Sequence, residues 1–91
     1  MEFDWTHFDS GCGASQKQIE EVFEDPFNLR LMPDSARFVG LSRFFCLGQD
    51  NDGNYLMVVY VANGKSVRVI TARKMSMEES GFYAQKLHRS L

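Results

Sequence analysis

Cysteine is scarce in this 91-residue chain. The two that occur, Cys12 and Cys46, stand far apart, and neither has a Cys or His at a metal-ligand spacing. That argues against a metal centre and against a disulfide-stapled scaffold. It reads as two reduced thiols of a cytosolic protein, with Cys46 in the core behind Phe44 and Phe45. Long apolar runs are missing too. The longest, residues 55–62, falls far short of the ~20 residues that a membrane-spanning helix needs. The start, Met1-Glu2-Phe3-Asp4, is acidic and shows no apolar stretch of the signal-peptide kind. Basic charge is nearly absent from the first third, where residues 1–29 carry seven acids and one base, Lys17.

The common chemical signatures are also absent. There is no Gly-rich phosphate loop, no His-Glu-x-x-His and no nucleophile elbow. His7 and His88 lie near opposite ends of the chain, so spacing supports no Cys–His or Ser–His pair. Asp50-Asn51-Asp52-Gly53 begins like a calcium loop, but such a loop needs a Glu at its twelfth position, and Val61 stands there. The segment reads as a turn. No metal and no cofactor is expected.

What is present is material for a core. Hydrophobic residues make up 44% of the chain, with eight Phe and one Trp, which predicts a packed fold rather than disorder. The length suits one domain over residues 1–91. A chain this short buries only about 60–65% of its unfolded surface, so modest stability or a partner is expected. The net charge of −2 argues against a nucleic-acid binder. Its distribution is less simple, because residues 54–91 carry six bases and two acids. That end would tolerate phosphates, although ordinary solvated charge is the plainer reading.

Phe3-Asp4-Trp5 alternates like a short strand. Ser15 and Gln18 match a capping box, and Ile19, Val22 and Phe23 form the apolar stripe of a helix that Pro26 ends. Phe27, Leu29 and Leu31 alternate, suggesting an extended piece, and Pro33-Asp34-Ser35 marks a turn. Strands are predicted over residues 43–47, 55–61 and 67–71. Asn63-Gly64 suits a type I′ hairpin turn with both residues at positive φ. A last helix runs from about Met77, with Ser76 and Glu79 as a second capping box and Phe82, Tyr83 and Leu87 on its apolar face. The sum is a two-layer α+β fold: an antiparallel sheet, made of the N-terminal strand plus a three-stranded meander, packed with helices.

One segment invites a chemical reading, Arg68-Val69-Ile70-Thr71-Ala72-Arg73-Lys74. In a regular strand Arg68 and Arg73 would point to opposite faces. Arg73 and Lys74 would fall just past the strand and before the capped helix, where two cations and a helix N-terminus favour a phosphate. Glu79 and Tyr83 share a helix face. The alternative is that an arginine here pairs with an acid and merely fixes the helix.

Several blocks together resemble the BrnT family of type II toxin–antitoxin toxins in order and spacing. They are Arg43-Phe44-Phe45-Cys46-Leu47-Gly48, Asp52-Gly53-Asn54-Tyr55-Leu56, Val58-Val59-Tyr60, and the segment from Arg68 through Arg73-Lys74-Met75-Ser76, followed by Glu79 and Tyr83. Phe3-Asp4-Trp5 and Val22-Phe23-Glu24-Asp25-Pro26 resemble it as well. The resemblance implies a RelE-like fold and a cytoplasmic, metal-independent ribonuclease toxin, neutralised by an antitoxin of ribbon-helix-helix type. It implies Arg43, Arg68 and Arg73 as charge stabilisers, Glu79 and Tyr83 for positioning or proton transfer, and Lys74 on the RNA. The chain departs from the family at one place. Where family members carry Lys-His-Gly, it has Gly11-Cys12-Gly13. A relative without catalysis that binds a protein partner is the other function considered.

Overall fold

In chain order the elements are β1 (Glu2–Asp4), α1 (Gln16–Glu24), β2 (Leu29–Leu31), β3 (Arg43–Gln49), β4 (Tyr55–Asn63), β5 (Ser66–Lys74) and α2 (Met77–Ser90). They are taken from a computed structural model that describes residues 2–31 and 43–90. The strands form one five-stranded sheet in the order β1-β5-β4-β3-β2. The meander is antiparallel, as its hairpin signals require. One extended piece joins the sheet as expected of its alternation, and one strand takes an unexpected direction. The alternating stretch after Pro26 becomes β2, which pairs antiparallel with β3. β1 adds to the far edge parallel to β5, with Phe3 opposite Val67 and Asp4 opposite Arg68. The sheet is therefore mixed and not wholly antiparallel. Alternation identifies a strand but carries no information about its direction relative to a distant neighbour. The turn expected at Pro33-Asp34-Ser35 lies outside the described residues.

The capping boxes form as the spacing predicts. The Ser15 hydroxyl accepts from the Gln18 amide at 3.1 Å, and the Gln18 side-chain oxygen accepts from the Ser15 amide at 2.9 Å. At α2 the Ser76 amide donates to Glu79 Oε1 at 2.7 Å, and the Glu79 amide donates to Ser76 Oγ at 3.2 Å. The β4–β5 turn is shifted by one residue from its expected place. Its loop is Gly64-Lys65, with Asn63 already paired to Ser66. Only Gly64 has a positive φ, 61°, which fits a type II′ turn.

The two helices take opposite faces, so the fold has three layers and not two. Even-numbered residues of β3 and β4 (Cys46, Leu56, Val58, Tyr60) pack with Ile19, Val22 and Phe23 of α1. Odd-numbered Leu47 and Met57 pack with Leu29 and with Tyr83 of α2. Period-two alternation sends these sets to opposite sides of the sheet. Ile19 and Val22 are fully buried, each worth roughly 1.5–3 kcal/mol of hydrophobic stabilisation.

α1 sits close because Gly48 leaves room for it. A Cβ on Gly48 would lie 3.0 Å from both the Val22 carbonyl oxygen and Val22 Cγ1, and 3.2 Å from an Asp25 carboxylate oxygen. A helix carbonyl cannot yield as a flexible side chain can. Gly48→Ala is expected to lower stability by about 1–3 kcal/mol, read as a lower urea midpoint with an unchanged slope. A midpoint equal to that of the parent would show that the helix shifts without cost.

Candidate functional site

The register of β5 against β4 changes once. Val59 lies opposite Thr71 and Tyr60 opposite Val69, so Ile70 is an extra residue, a β-bulge. The bulge reverses the alternation of everything after it. Arg68 lies opposite Val61 and Arg73 opposite Met57, two positions of the same parity on β4. The two arginines thus share the α2 face, contrary to the expectation from a regular strand. Arg43 also lies opposite Val61, from the other side, and so joins that face. The three do not form one cluster, however. Arg43 and Arg68 flank Val61 at one end of the sheet, whereas Arg73 lies four β4 residues away, about 13 Å along the strand.

Each arginine has its own surroundings. Arg68 Nε donates to Asp4 Oδ2 at 3.3 Å. Asp4 also accepts from the Thr6 hydroxyl at 2.5 Å and the Thr6 amide at 2.9 Å. These bonds from Thr6, with Arg68 adding a smaller share, hold the Asp4 carboxyl at about 2. Arg43 is exposed at the start of β3. Arg73 is gripped by Glu79: Nη1 donates to Oε1 at 2.8 Å and Nη2 to Oε2 at 3.0 Å, and Nη1 also donates to the Lys74 carbonyl at 3.0 Å. Burial alone would raise the Glu79 carboxyl, but the bonds from Arg73 and Ser76 outweigh it and hold it below its ordinary value.

Pairing with an acid therefore does fix the strand-to-helix junction, yet it does not exhaust Arg73. A guanidinium has five N–H donors, and three are used here. One on Nη2 and the one on Nε remain for a ligand, on a side chain 52% exposed. Lys74 follows at the end of β5, which runs further than expected, and is exposed. Leu56 is its partner across β4, so Lys74 belongs to the α1 face.

Beside this junction is a pocket of about 320 Å³, with Cys12, Gly13 and Ala14 on one wall and Arg73 and Lys74 on the other. The loop is delivered there by the bulge, because the Asp9 amide donates to the Ile70 carbonyl at 2.9 Å. Gln18, Asn54 and Leu56 complete the lining. Two cationic residues lining one pocket with a glycine-containing loop make a site for an anion such as a phosphate.

Tyr83 stands elsewhere. It is 1% exposed. Its hydroxyl donates to Asp25 Oδ2 at 2.5 Å and accepts from Gln49 Nε2 at 3.2 Å. Burial first, and then the bond to Asp25, push the phenol up to about 12. Asp25 collects further donors, the amides of Phe27 at 2.9 Å and Gln49 at 3.0 Å. Spacing within the sequence missed this carboxylate, since its partners are 24 and 58 residues away. The only local sign was an Asp at a helix end before Pro26.

The remaining chemical candidates find plain roles. Asp50 organises its turn by accepting from the amides of Asp52 and Asn54 and from the side chains of Asn54 and Gln18. Cys12 and Cys46 are both free, and burial pushes the Cys46 thiol up to about 12. No group of three metal-ligating side chains occurs among the described residues. No described helix is long and apolar enough to cross a membrane.

Compared with known proteins, residues 12–79 match the family model described as the ribonuclease toxin, BrnT, of type II toxin–antitoxin systems. No curated protein matches the chain. The match begins at Cys12, in the loop that faces Arg73, and ends at Glu79, which holds it.

Tyr83→Phe removes a donor from the half-buried Asp25 carboxylate. It is expected to cost about 1–3 kcal/mol in a urea titration. The sign with pH follows from the raised phenol. Stability from Tyr83 is complete below pH 10, its unfolded value, and is lost as pH rises toward about 12. Melting temperatures across that range should fall less steeply in the variant than in the parent. Parallel curves would remove the phenol from the account.

Proposed function

Because the chain belongs to the BrnT family of ribonuclease toxins of type II toxin–antitoxin systems, we propose that it is a metal-independent endoribonuclease whose working site is the Arg73–Lys74 pocket. The RNA 2′-hydroxyl attacks the adjacent phosphorus, the bond to the 5′-oxygen breaks, and a cyclic phosphate and a 5′-hydroxyl result. The phosphorane carries more negative charge than the ground state, so cations aimed at it lower the barrier. Arg73 offers its two remaining N–H groups, and Lys74 adds a second positive charge from the same pocket. Together they supply the charge that a metal ion supplies in other nucleases.

Glu79 acts as the orienting residue, since its fork fixes the guanidinium plane. Tyr83 acts through position, by anchoring the helix that carries Glu79, and not as a proton donor. Arg43 and Arg68, at the far end of the α2 face, bind phosphates of the RNA away from the scissile one. In place of the family Lys-His-Gly the chain has Gly11-Cys12-Gly13, of which Cys12 and Gly13 line the pocket. Proton transfer thus falls to water, and turnover is slow relative to an enzyme with a positioned imidazole. The fold is RelE-like and the setting cytoplasmic. The antitoxin that the family implies is of ribbon-helix-helix type.

The reading is carried by Arg73, held by Glu79 with donors to spare and lining the same pocket as Lys74 and residues 12–14. The test is cleavage of a fluorescent RNA in EDTA. The native chain should cut it, and Arg73→Ala should cut about 10²–10³ times more slowly. Equal rates would remove Arg73 from the site. Intact RNA with correctly folded native protein would move the assignment to a binding module without catalysis.

A further inference from the structure

α1 covers only part of its face. Its first turn meets Asp50 through Gln18, and its last residue leads to Asp25 on Gln49, both where β3 ends. Toward the opposite end the face continues beyond Phe23 as Tyr60, Phe44, Ala62 and Val67, the floor of a second pocket of about 490 Å³. That volume is in the range of ligand sites. Arg30 of β2 forms one wall, and Lys65 and Ser66 at the β4–β5 turn form the other.

The floor is aromatic and held in place. Phe44 stacks on Tyr60 with centroids 5.5 Å apart and planes 23° apart, while Phe23 meets Tyr60 edge-on at 5.0 Å. Tyr60 is thereby closed off, at 3% exposed, whereas Phe44 is half-buried and keeps a free surface. The Arg30 guanidinium lies 5.3 Å from the Phe23 ring centroid, a cation–π contact that keeps it over the pocket. Among the described residues no carboxylate lines this pocket. The nearest acids in sequence and register, Glu2 and Asp4, alternate with Phe3 and so belong to the other face.

We propose that this pocket is a nucleotide subsite for single-stranded RNA, with a base stacked on Phe44 and a phosphate between Arg30 and Lys65. An aromatic surface between two cations is the combination that single-strand binders use, because every base has a π-face and every linkage a charge. The hydroxyl of Ser66 offers a donor and an acceptor to a base edge or a ribose. From Leu56 in the Arg73 pocket to Tyr60 and Ala62 in this one is ~13–20 Å along β4, a span that a few nucleotides cover. The subsite takes its ligand class from the ribonuclease reading and would select the sequence or length of the strand that reaches Arg73.

The test is fluorescence anisotropy with a short labelled 2′-O-methyl RNA, whose blocked nucleophile prevents cleavage during the titration. Lys65→Gln should weaken binding about three- to tenfold and reduce the salt dependence by about one phosphate contact. Phe44→Leu should weaken it about tenfold, and Lys17→Gln, an exposed change on α1, should bind like the parent. Parent-like binding by both pocket variants overturns the subsite, as does a native chain that binds no RNA. Weakened capture of the antitoxin by Lys65→Gln with RNA binding unchanged also overturns it and makes the pocket a protein interface. Cleavage that needs Arg73 but ignores Lys65 and Phe44 removes only the subsite. Weakened binding in the pocket variants of a chain that cuts nothing keeps the subsite and removes the ribonuclease reading.

Discussion

The bulge at Ile70 is the constraint on which the site depends. One extra residue in β5 changes the face of every side chain that follows. Before it, Val67 and Val69 pack toward α1; after it, that duty passes to Ala72. Arg73 consequently joins Arg68 on the α2 face, where Glu79 can reach it. The same bulged residue offers its carbonyl to Asp9. That bond ties the segment after β1 along the edge of β5 and brings residues 12–14 to the pocket. A local defect in the ladder thus sets both walls of the candidate site.

The electrostatics of the chain make sense only in these local terms. The net charge of −2 opposes RNA at long range, and screening at physiological salt limits that repulsion to about 8 Å. Acids gather where α1 meets the end of β3, around Glu21, Glu24, Asp25 and Asp50. Several of these are committed to structure: Glu21 accepts from Asn51, Asp25 from Gln49 and Tyr83, and Asp50 from its own turn. Arg30 and Lys65 line one other pocket and Arg73 and Lys74 another, so these cations stand apart from that acidic cluster.

What could be read from the sequence follows the range of the interactions. Both capping boxes, the Pro26 stop and the three-stranded meander rest on contacts a few residues apart, and each forms as the spacing implies. The direction of β1, the use of both sheet faces and the bulge depend on distant partners, and periodicity says nothing of these. That an arginine before α2 pairs with an acid was legible, but not that the pair is Arg73 with Glu79. Asp25 was not, because its partners come from β3 and α2. A strand with strict alternation also seemed the natural form for residues 67–71, and no local signal marked Ile70 as the residue that breaks it.

The Asp25 carboxylate has a further consequence for how the molecule comes apart. The two helices lie on opposite faces of the sheet. One acceptor at the end of β3 joins the cap of α1 to the hydroxyl of Tyr83 on α2. Neither helix can then lift away while leaving the other's polar contacts intact, because Asp25 would keep its desolvation and lose a donor. The two helices accordingly belong to one cooperative unit. Amide exchange in the last turn of α1 and in the middle of α2 should share a single opening energy.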